Sequence, residues 1–407
     1  MSPASSASSA SSARSASPER VVVAGAGLAG LRVVEELRAR GYDGAVTLIG
    51  AEARPPYDRP PLSKQLMTGA VDDTTLRDDL GSLRADLRFG ERAQALGDGV
   101  LRTDRGEHAF DALAVTTGAS PVALPGTGRQ RFLRTHQDAM ALRELLIPGL
   151  RLAIVGAGWI GAELATAAAA RGCQVTVVEA GSAPLAAALG ADVGILTASW
   201  YPAAGVELML GQAVSSVEPG GLALAQGGWL PADEIVTAVG VRPEVGWLRG
   251  SDVALENGVA VDEQLRTSVP GIFAAGDCAA FESRRYGRRL RFEHWDVALR
   301  APSVLAANVL GGTDAYDPVP YFWSEQFGKM VQYAGYHGSA DRLVLRGDPA
   351  GQRWGACWLA GDALVALLTV DVPRDLVQGR RLIESGTPVE AGRLADPGVP
   401  VRDAAAS

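Results

Sequence analysis

Gly25, Gly27 and Gly30 stand at Gly-x-Gly-x-x-Gly spacing, and Gly156, Gly158 and Gly161 repeat it. That spacing builds a cradle for a pyrophosphate. The first glycine permits a tight turn, the second lets backbone N–H groups approach the phosphates, and the third lets a helix pack closely on a strand. An acid follows each cradle at about the distance where a carboxylate reaches a ribose hydroxyl: Glu52 after the first and Glu179 after the second. A lone motif of this kind can be a structural loop. Two complete ones on one chain point to two dinucleotide sites. A third acid, Asp277, follows the apolar run Ile272-Phe-Ala-Ala and Gly276, where it could bind a polyol hydroxyl.

The elements needed to position these residues are legible around them. Val21 to Ala24 is a short β-branched run suited to a buried parallel strand, Leu28 to Arg40 is helix-forming, Gly41 stops it, and Ala45 to Ile49 is the next strand. The second copy repeats the order: strand Leu152 to Val155, helix Ala162 to Arg171, strand Gln174 to Val178. Arg54 to Lys64 is a stiff, proline-rich turn, either a connector or a holder for Arg59 and Lys64. Short strands are predicted at Leu87 to Phe89, Gly99 to Arg102 and Ala109 to Thr116, with a helix over Asp138 to Leu146 and strand-like pattern from Val206 to Val239. Gly271 onward returns the chain to the first unit, and Asp296 to Leu310 is helical. Strands follow at Val331 to Tyr336, Asp341 to Arg346, Ala356 to Leu359 and Ala363 to Val370. A helix over Asp375 to Ser385 closes the chain, and the last residues are expected to fray. The pattern predicts an α/β protein of two Rossmann-like dinucleotide-binding domains and a C-terminal α+β domain. The expected boundaries are 19–124 with 248–321 for the first, 125–247 for the second and 322–400 for the third.

Composition excludes several classes. A formal charge of −8 argues against general nucleic-acid binding, and no apolar run approaches a membrane span. Residues 1–18 are Ser/Ala-rich without large hydrophobes and read as a disordered tail on a cytoplasmic protein. Cys173, Cys278 and Cys357 are far apart and form no Cys-x-x-Cys, which speaks against a disulfide framework or a metal site. His108, His136, His294 and His337 show no ligand spacing; each reads as a surface or capping residue.

Three longer stretches resemble a known family: Pro56-Tyr-Asp-Arg-Pro-Pro-Leu-Ser-Lys64, Arg266-Thr-Ser-Val-Pro-Gly-Ile-Phe-Ala-Ala-Gly-Asp-Cys278 and Val319-Pro-Tyr-Phe-Trp-Ser-Glu-Gln326. Over about residues 20 to 385 the chain is similar to the FAD-dependent ferredoxin reductases of bacterial oxygenase systems, within the pyridine nucleotide-disulfide oxidoreductase superfamily. The resemblance implies FAD in the first domain, NADH in the second, and a C-terminal domain closing over the flavin. By motif, the FAD site would include Gly25, Gly27, Ala29, Gly30, Glu52, Arg59, Lys64, Ala93, Arg134, Asp277 and Trp295. The nicotinamide site would include Gly156, Gly158, Ile160, Gly161, Glu163, Glu179 and Gly240. The chain departs from the family pattern in three places. Ala51 stands where the ribose acid is expected, with Glu52 one residue later; Tyr321 begins a segment that often starts with Trp; and Ala301-Pro302 replaces a common Gln-Gly.

The implied reaction is hydride transfer from NADH to FAD, then single-electron transfer to a small [2Fe-2S] ferredoxin. Lys64, paired with Glu163, is the expected catalytic cation near flavin N5. The helix after Trp295 would point its N-terminus at the flavin's pyrimidine edge, and Trp159 would cover the flavin or simply pack. Glu179 favours NADH, since its carboxylate would repel a 2′-phosphate. The absence of cysteine from Ala51 to Met67 leaves no sulfur relay there. Arg284, Arg285, Arg288, Arg289 and Arg291 form a basic cluster that could dock an acidic ferredoxin, or be a solvated hairpin. Trp295 and Trp323 are candidates for the flavin edge facing that partner. The alternatives are an NADH oxidase or rubredoxin reductase on the same scaffold, and a redox-sensing interaction protein resembling apoptosis-inducing factor.

Overall fold

Val21, Val22, Val23 and Ala24 are all buried, as an apolar run in the middle of a parallel sheet must be. In the computed structural model, which describes residues 17–406, their strand Arg20–Ala24 lies between Ala45–Gly50 and Ala112–Val115. Ile272–Ala274 extends the sheet beyond Ala112–Val115, and Asp86–Phe89 extends it beyond Ala45–Gly50; every pairing is parallel. The chain thus builds the sheet outward from Arg20–Ala24 in one direction and, after the meander, returns to build on its other side. A crevice opens at the carboxyl end of the strand where the order reverses. Helix Leu28–Ala39 starts at that crevice. The tail expected over 1–18 lies, except for its last two residues, outside the described residues.

The second unit repeats the plan. Arg151–Val155 lies between Gln174–Glu179 and Glu234–Thr237, with Glu207–Leu210 at the far edge, all parallel. Helix Trp159–Ala170 follows the glycine turn and begins three residues earlier than composition suggested. Each unit also carries an antiparallel three-stranded meander, Ala93–Gly97 to Glu107–Ala109 in the first and Val214–Glu218 to Trp229–Pro231 in the second. The two chain crossings between the units are zipped together as an antiparallel pair, Ala119–Pro121 with Val241–Pro243.

The C-terminal unit is a five-stranded antiparallel sheet, in spatial order Tyr321–Gln326, Lys329–Gly335, Ala363–Val370, Trp354–Ala360, Arg342–Gly347, with helix Pro373–Ser385 packed on it. Its other face meets the second unit: Val331, Tyr333 and Trp354 share a buried cluster with Leu185, Leu189, Val193 and Trp200. The fold class is therefore the expected one, two Rossmann-like units with an α+β addition.

Two local expectations are corrected, the strand at Ala109 to Thr116 and the fraying C-terminus. The predicted strand Ala109 to Thr116 is two strands, Glu107–Ala109 and Ala112–Val115, because the chain leaves the meander and enters the parallel sheet at Asp111. The helix expected over Asp296 to Leu310 is present, running unbroken through Ala301-Pro302 over Trp295–Val309. Residues 186–203, which carried no expectation, are short helical turns. The C-terminus does not fray: Leu394, Val401 and Ala404 are fully buried, and Val389 bridges to Ala405.

Candidate functional site

The two glycine cradles have matching geometry. A Cβ on Gly25 would collide with the Thr116 carbonyl, and one on Gly156 with the Ala238 carbonyl; both residues also adopt positive φ, +118° and +103°. A Cβ on Gly30 or Gly161 would strike the carbonyl of the first glycine in its own motif. At Gly27 and Gly158 a Cβ would meet nothing within 4 Å. These middle glycines instead cap their helices, and their backbones face open space. The first-turn N–H groups of each helix have no side-chain acceptor at the cap and lie where an anion can take them. This is the shape a pyrophosphate requires, so the residues present fit two dinucleotides.

Both cradles open on one cavity of about 1100 Å³. Its wall contains Gly25, Gly27, Ala29, Glu52, Arg59, Lys64, Ala93, Arg134, Asp277 and Trp295 from the residues expected of the first site. From the second it contains Gly156, Gly158, Ile160, Glu163, Glu179 and Gly240. Gly30 and Gly161 do not line it; they pack helix on strand instead.

Lys64 and Glu163 meet in the wall, Nζ to Oε2 at 2.8 Å, although 99 residues separate them. The pair is nearly dry, with side-chain exposures of 10% and 2%. Lys64 reaches it because the proline-fixed turn Pro60–Ser63 ends there, and Glu163 because it lies one turn into helix Trp159–Ala170. Ser63 also donates to Glu163 Oε2, and Ser324 of the C-terminal unit donates to Oε1 at 2.6 Å.

At the other end of the first cradle, Glu52 accepts from Tyr57 Oη and Arg59 Nη2, each at 2.7 Å. The Arg59 guanidinium lies 5.0 Å over the Tyr57 ring and donates to the Arg134 carbonyl. Burial pushes the Tyr57 phenol up to about 12, so it stays a donor. Arg134 pairs with Asp277 at 2.9 Å. Trp295 donates its indole N–H to Asp58 at 2.8 Å, and burial raises that carboxyl. Glu179 is held between the second glycine turn and its own loop, accepting from the N–H of Ala157 at 2.8 Å and of Gly181 at 2.7 Å. Trp159 packs on Phe322, ring centroids 4.7 Å apart, at the cavity wall.

Sequence reasoning missed Tyr57, Asp58, Ser63, Ser324 and Phe322. The first three lie inside the Pro-Tyr-Asp-Arg-Pro-Pro-Leu-Ser-Lys stretch and could have been suspected from it. Another reading is corrected: His136 is buried rather than a surface residue. His294 takes the N-cap position of helix Trp295–Val309 without a side-chain cap bond, is half-buried, and its Nδ1 has no partner among the described residues. His294 stacks on Phe292 and lines the cavity, and burial pushes its imidazole down to about 4. The arginine cluster, read as a docking face or a solvated hairpin, lies on the hairpin of Ala279–Ser283 with Arg288–Leu290 and is engaged locally. Arg284 pairs with Glu263, Arg289 with Glu256 and Glu282, and Arg291 with Glu293. Arg285 donates to the Ile383 carbonyl, while Arg288 lies over Tyr336. All three cysteines are free and buried, and none lines the cavity.

A paired-cradle fold whose shared cavity is lined in part by a third unit defines a two-nucleotide oxidoreductase. Comparison with known proteins makes this specific: the chain belongs to the pyridine nucleotide-disulphide oxidoreductase family, matched over residues 19–301, and carries a reductase C-terminal domain over 321–405. It is 35% identical to the ferredoxin–NAD(+) reductase component of the anthranilate 1,2-dioxygenase system of Burkholderia cepacia, covering 94% of this chain and 98% of that one. Among solved structures, Fdr9 is 47% identical, with a TM-score of 0.91 over 94% of this chain and 99% of its own. The covalent putidaredoxin reductase–putidaredoxin complex is 29% identical, with a TM-score of 0.91 over 95% and 97%. No helix among the described residues is long and apolar enough to cross a membrane.

Proposed function

We propose that the protein is an NADH-dependent reductase that holds FAD on the first cradle and NADH on the second, and delivers electrons to a small [2Fe-2S] ferredoxin serving an oxygenase. The units 19–124 with 248–321, 125–247 and 322–400 then serve as FAD-binding, NAD-binding and capping domains, in a cytoplasmic protein. Bound flavin takes electrons as a pair and releases them singly, which an iron–sulfur acceptor needs. The observation that carries this reading is the convergence of both cradles on one cavity whose wall holds Lys64 and Glu163 and no cysteine. The names of the similar reductase components support the choice of acceptor.

The chain's own residues have separable tasks. Lys64 presents a positive charge where a reduced isoalloxazine would gather negative charge, and Glu163 fixes that ammonium in place. Helix Trp295–Val309 adds the partial positive charge of its N-terminus at the cavity. Glu179, held by two loop N–H groups, keeps a carboxylate where a 2′-phosphate would sit and so selects against NADPH. Trp159 and Phe322 exclude water from between the two cradles.

NADH-driven reduction of cytochrome c, with and without added [2Fe-2S] ferredoxin, tests the reading. Strong stimulation by ferredoxin, and rates with NADPH lower by about a hundredfold, are expected. Full activity without ferredoxin and with oxygen alone would instead make the protein an oxidase.

A further inference from the structure

Glu163 is the point where three units of the chain touch. Oε2 faces the first unit and accepts from Lys64 Nζ at 2.8 Å and from Ser63 Oγ. Oε1 faces the C-terminal unit and accepts from Ser324 Oγ at 2.6 Å. Ser324 has no exposed surface and Glu163 almost none, so the contact between them is shielded from solvent. The Ser324 oxygen itself accepts from Gln326 Nε2 at 3.3 Å. With that lone pair engaged, the hydroxyl hydrogen is left to point at the carboxylate.

The register of this contact is built into both elements. On helix Trp159–Ala170, Trp159, Glu163 and Thr166 fall at positions i, i+4 and i+7 of one face. Opposite them, Phe322 and Ser324 alternate onto one face of strand Tyr321–Gln326, with Phe327 just beyond it. The pairs are Trp159 with Phe322, Glu163 with Ser324, and the Phe327 N–H with Thr166 Oγ1 at 2.9 Å. The outer pairs pin the strand, and the middle one carries the charge.

We infer that Ser324 is a positioning residue for the Lys64–Glu163 pair, so that the C-terminal unit sets how much positive charge Lys64 shows to the cavity. This rests on the reading of the cavity as a flavin site. The Ser324 hydroxyl disperses part of the carboxylate charge on the side away from Lys64. Without it, Oε1 is a buried acceptor with no donor, and the carboxylate leans wholly on Lys64 and Ser63. The ammonium is then more fully neutralised and stabilises a reduced flavin less.

Ser324→Ala, purified with its FAD, is titrated with dithionite against a reference dye and mixed with NADH in stopped flow. The expected result is a tenfold loss in the two-electron equilibrium, a lowering of the flavin potential by about 30 mV, with flavin reduction about tenfold slower and the NADH concentration for half-saturation unchanged. In a Lys64→Met background the same substitution should shift neither quantity further, because Ser324 acts through that cation. Ser324→Thr, which keeps the hydroxyl, should restore the potential. A wild-type potential in Ser324→Ala overturns the inference, even if its melting temperature falls. So does a shift of equal size in the Lys64→Met background. If Ser324→Ala does not retain FAD, Gln326→Leu decides: a smaller shift in the same direction supports the inference and none refutes it. The dithionite titration uses no NADH. Failure of the wild-type protein to react with NADH would therefore sink the reductase reading and leave this result standing by itself.

Discussion

His294 shows how far a side chain's behaviour can depart from what its residue type suggests. Its ring is stacked on Phe292 beside the cavity, and burial holds the imidazole down at about 4. In the unfolded chain it titrates near its ordinary value of about 6.5. Between those two values the unfolded state binds the extra proton, so stability contributed by this site is complete above about pH 6.5 and is lost as the pH falls toward 4. The melting temperature of the apoprotein should drop over that window, and His294→Phe should drop less, as read by calorimetry at matched pH values. The sequence around His294 did not signal this, because one of the two rings packed on it, Phe322, comes from the C-terminal unit. The cradle glycines are the opposite case. Their work is done within a few residues of chain, and so spacing alone was enough to place Gly25, Gly27 and Gly30 and their second copy. Lys64 and Glu163 lie between these extremes: each was marked by its local stretch, but their meeting depends on a contact across 99 residues.

Among the elements, the C-terminal segment was the one read least well. Its residues look like a polar tail with scattered small hydrophobes, and fraying was the natural expectation. What orders it is Arg346, which is 4% exposed and lies on an outer strand of the C-terminal sheet. Its guanidinium pairs with Asp375 at 2.7 Å and donates to the carbonyls of Leu394, Asp396 and Val399 at 3.0, 2.5 and 2.8 Å. A planar cation with several donors can satisfy a helix, its exit and the next turn at once. Arg346→Met strands the Asp375 carboxylate and frees those carbonyls together. The variant should lose about 3–5 kcal/mol, seen as a lower urea midpoint and as proteolytic trimming from the C-terminal end. Adding Asp375→Leu should recover part of the loss by removing the unpaired charge.

For the whole molecule, the arrangement of parallel sheets followed from periodicity and the repeated motif, while the surface charge pattern did not. Five arginines in eight residues read as either a docking face or a solvated hairpin, and three of them are matched by carboxylates from Glu256, Glu263, Glu282 and Glu293. Those acids come from segments before and after the hairpin that only folding brings together. Exposed pairs of this kind contribute little to long-range attraction. The double variant Arg284→Gln with Arg289→Gln should therefore change ferredoxin reduction at low salt by less than about fivefold. Arg288, with no carboxylate within ion-pair distance among the described residues, should account for more of any salt dependence in a rate measured from 20 to 300 mM salt, chosen to span roughly 20 to 6 Å of screening length.

The short ribbon of Ala119–Pro121 against Val241–Pro243 bears on how this protein could be engineered. Everything between those two segments leaves and rejoins the rest of the chain at one place, side by side. The middle unit thus hangs on a common stem, and, on the function proposed above, exchanging it for the corresponding unit of another oxidoreductase should change coenzyme choice without rethreading the sheet that holds the first cradle.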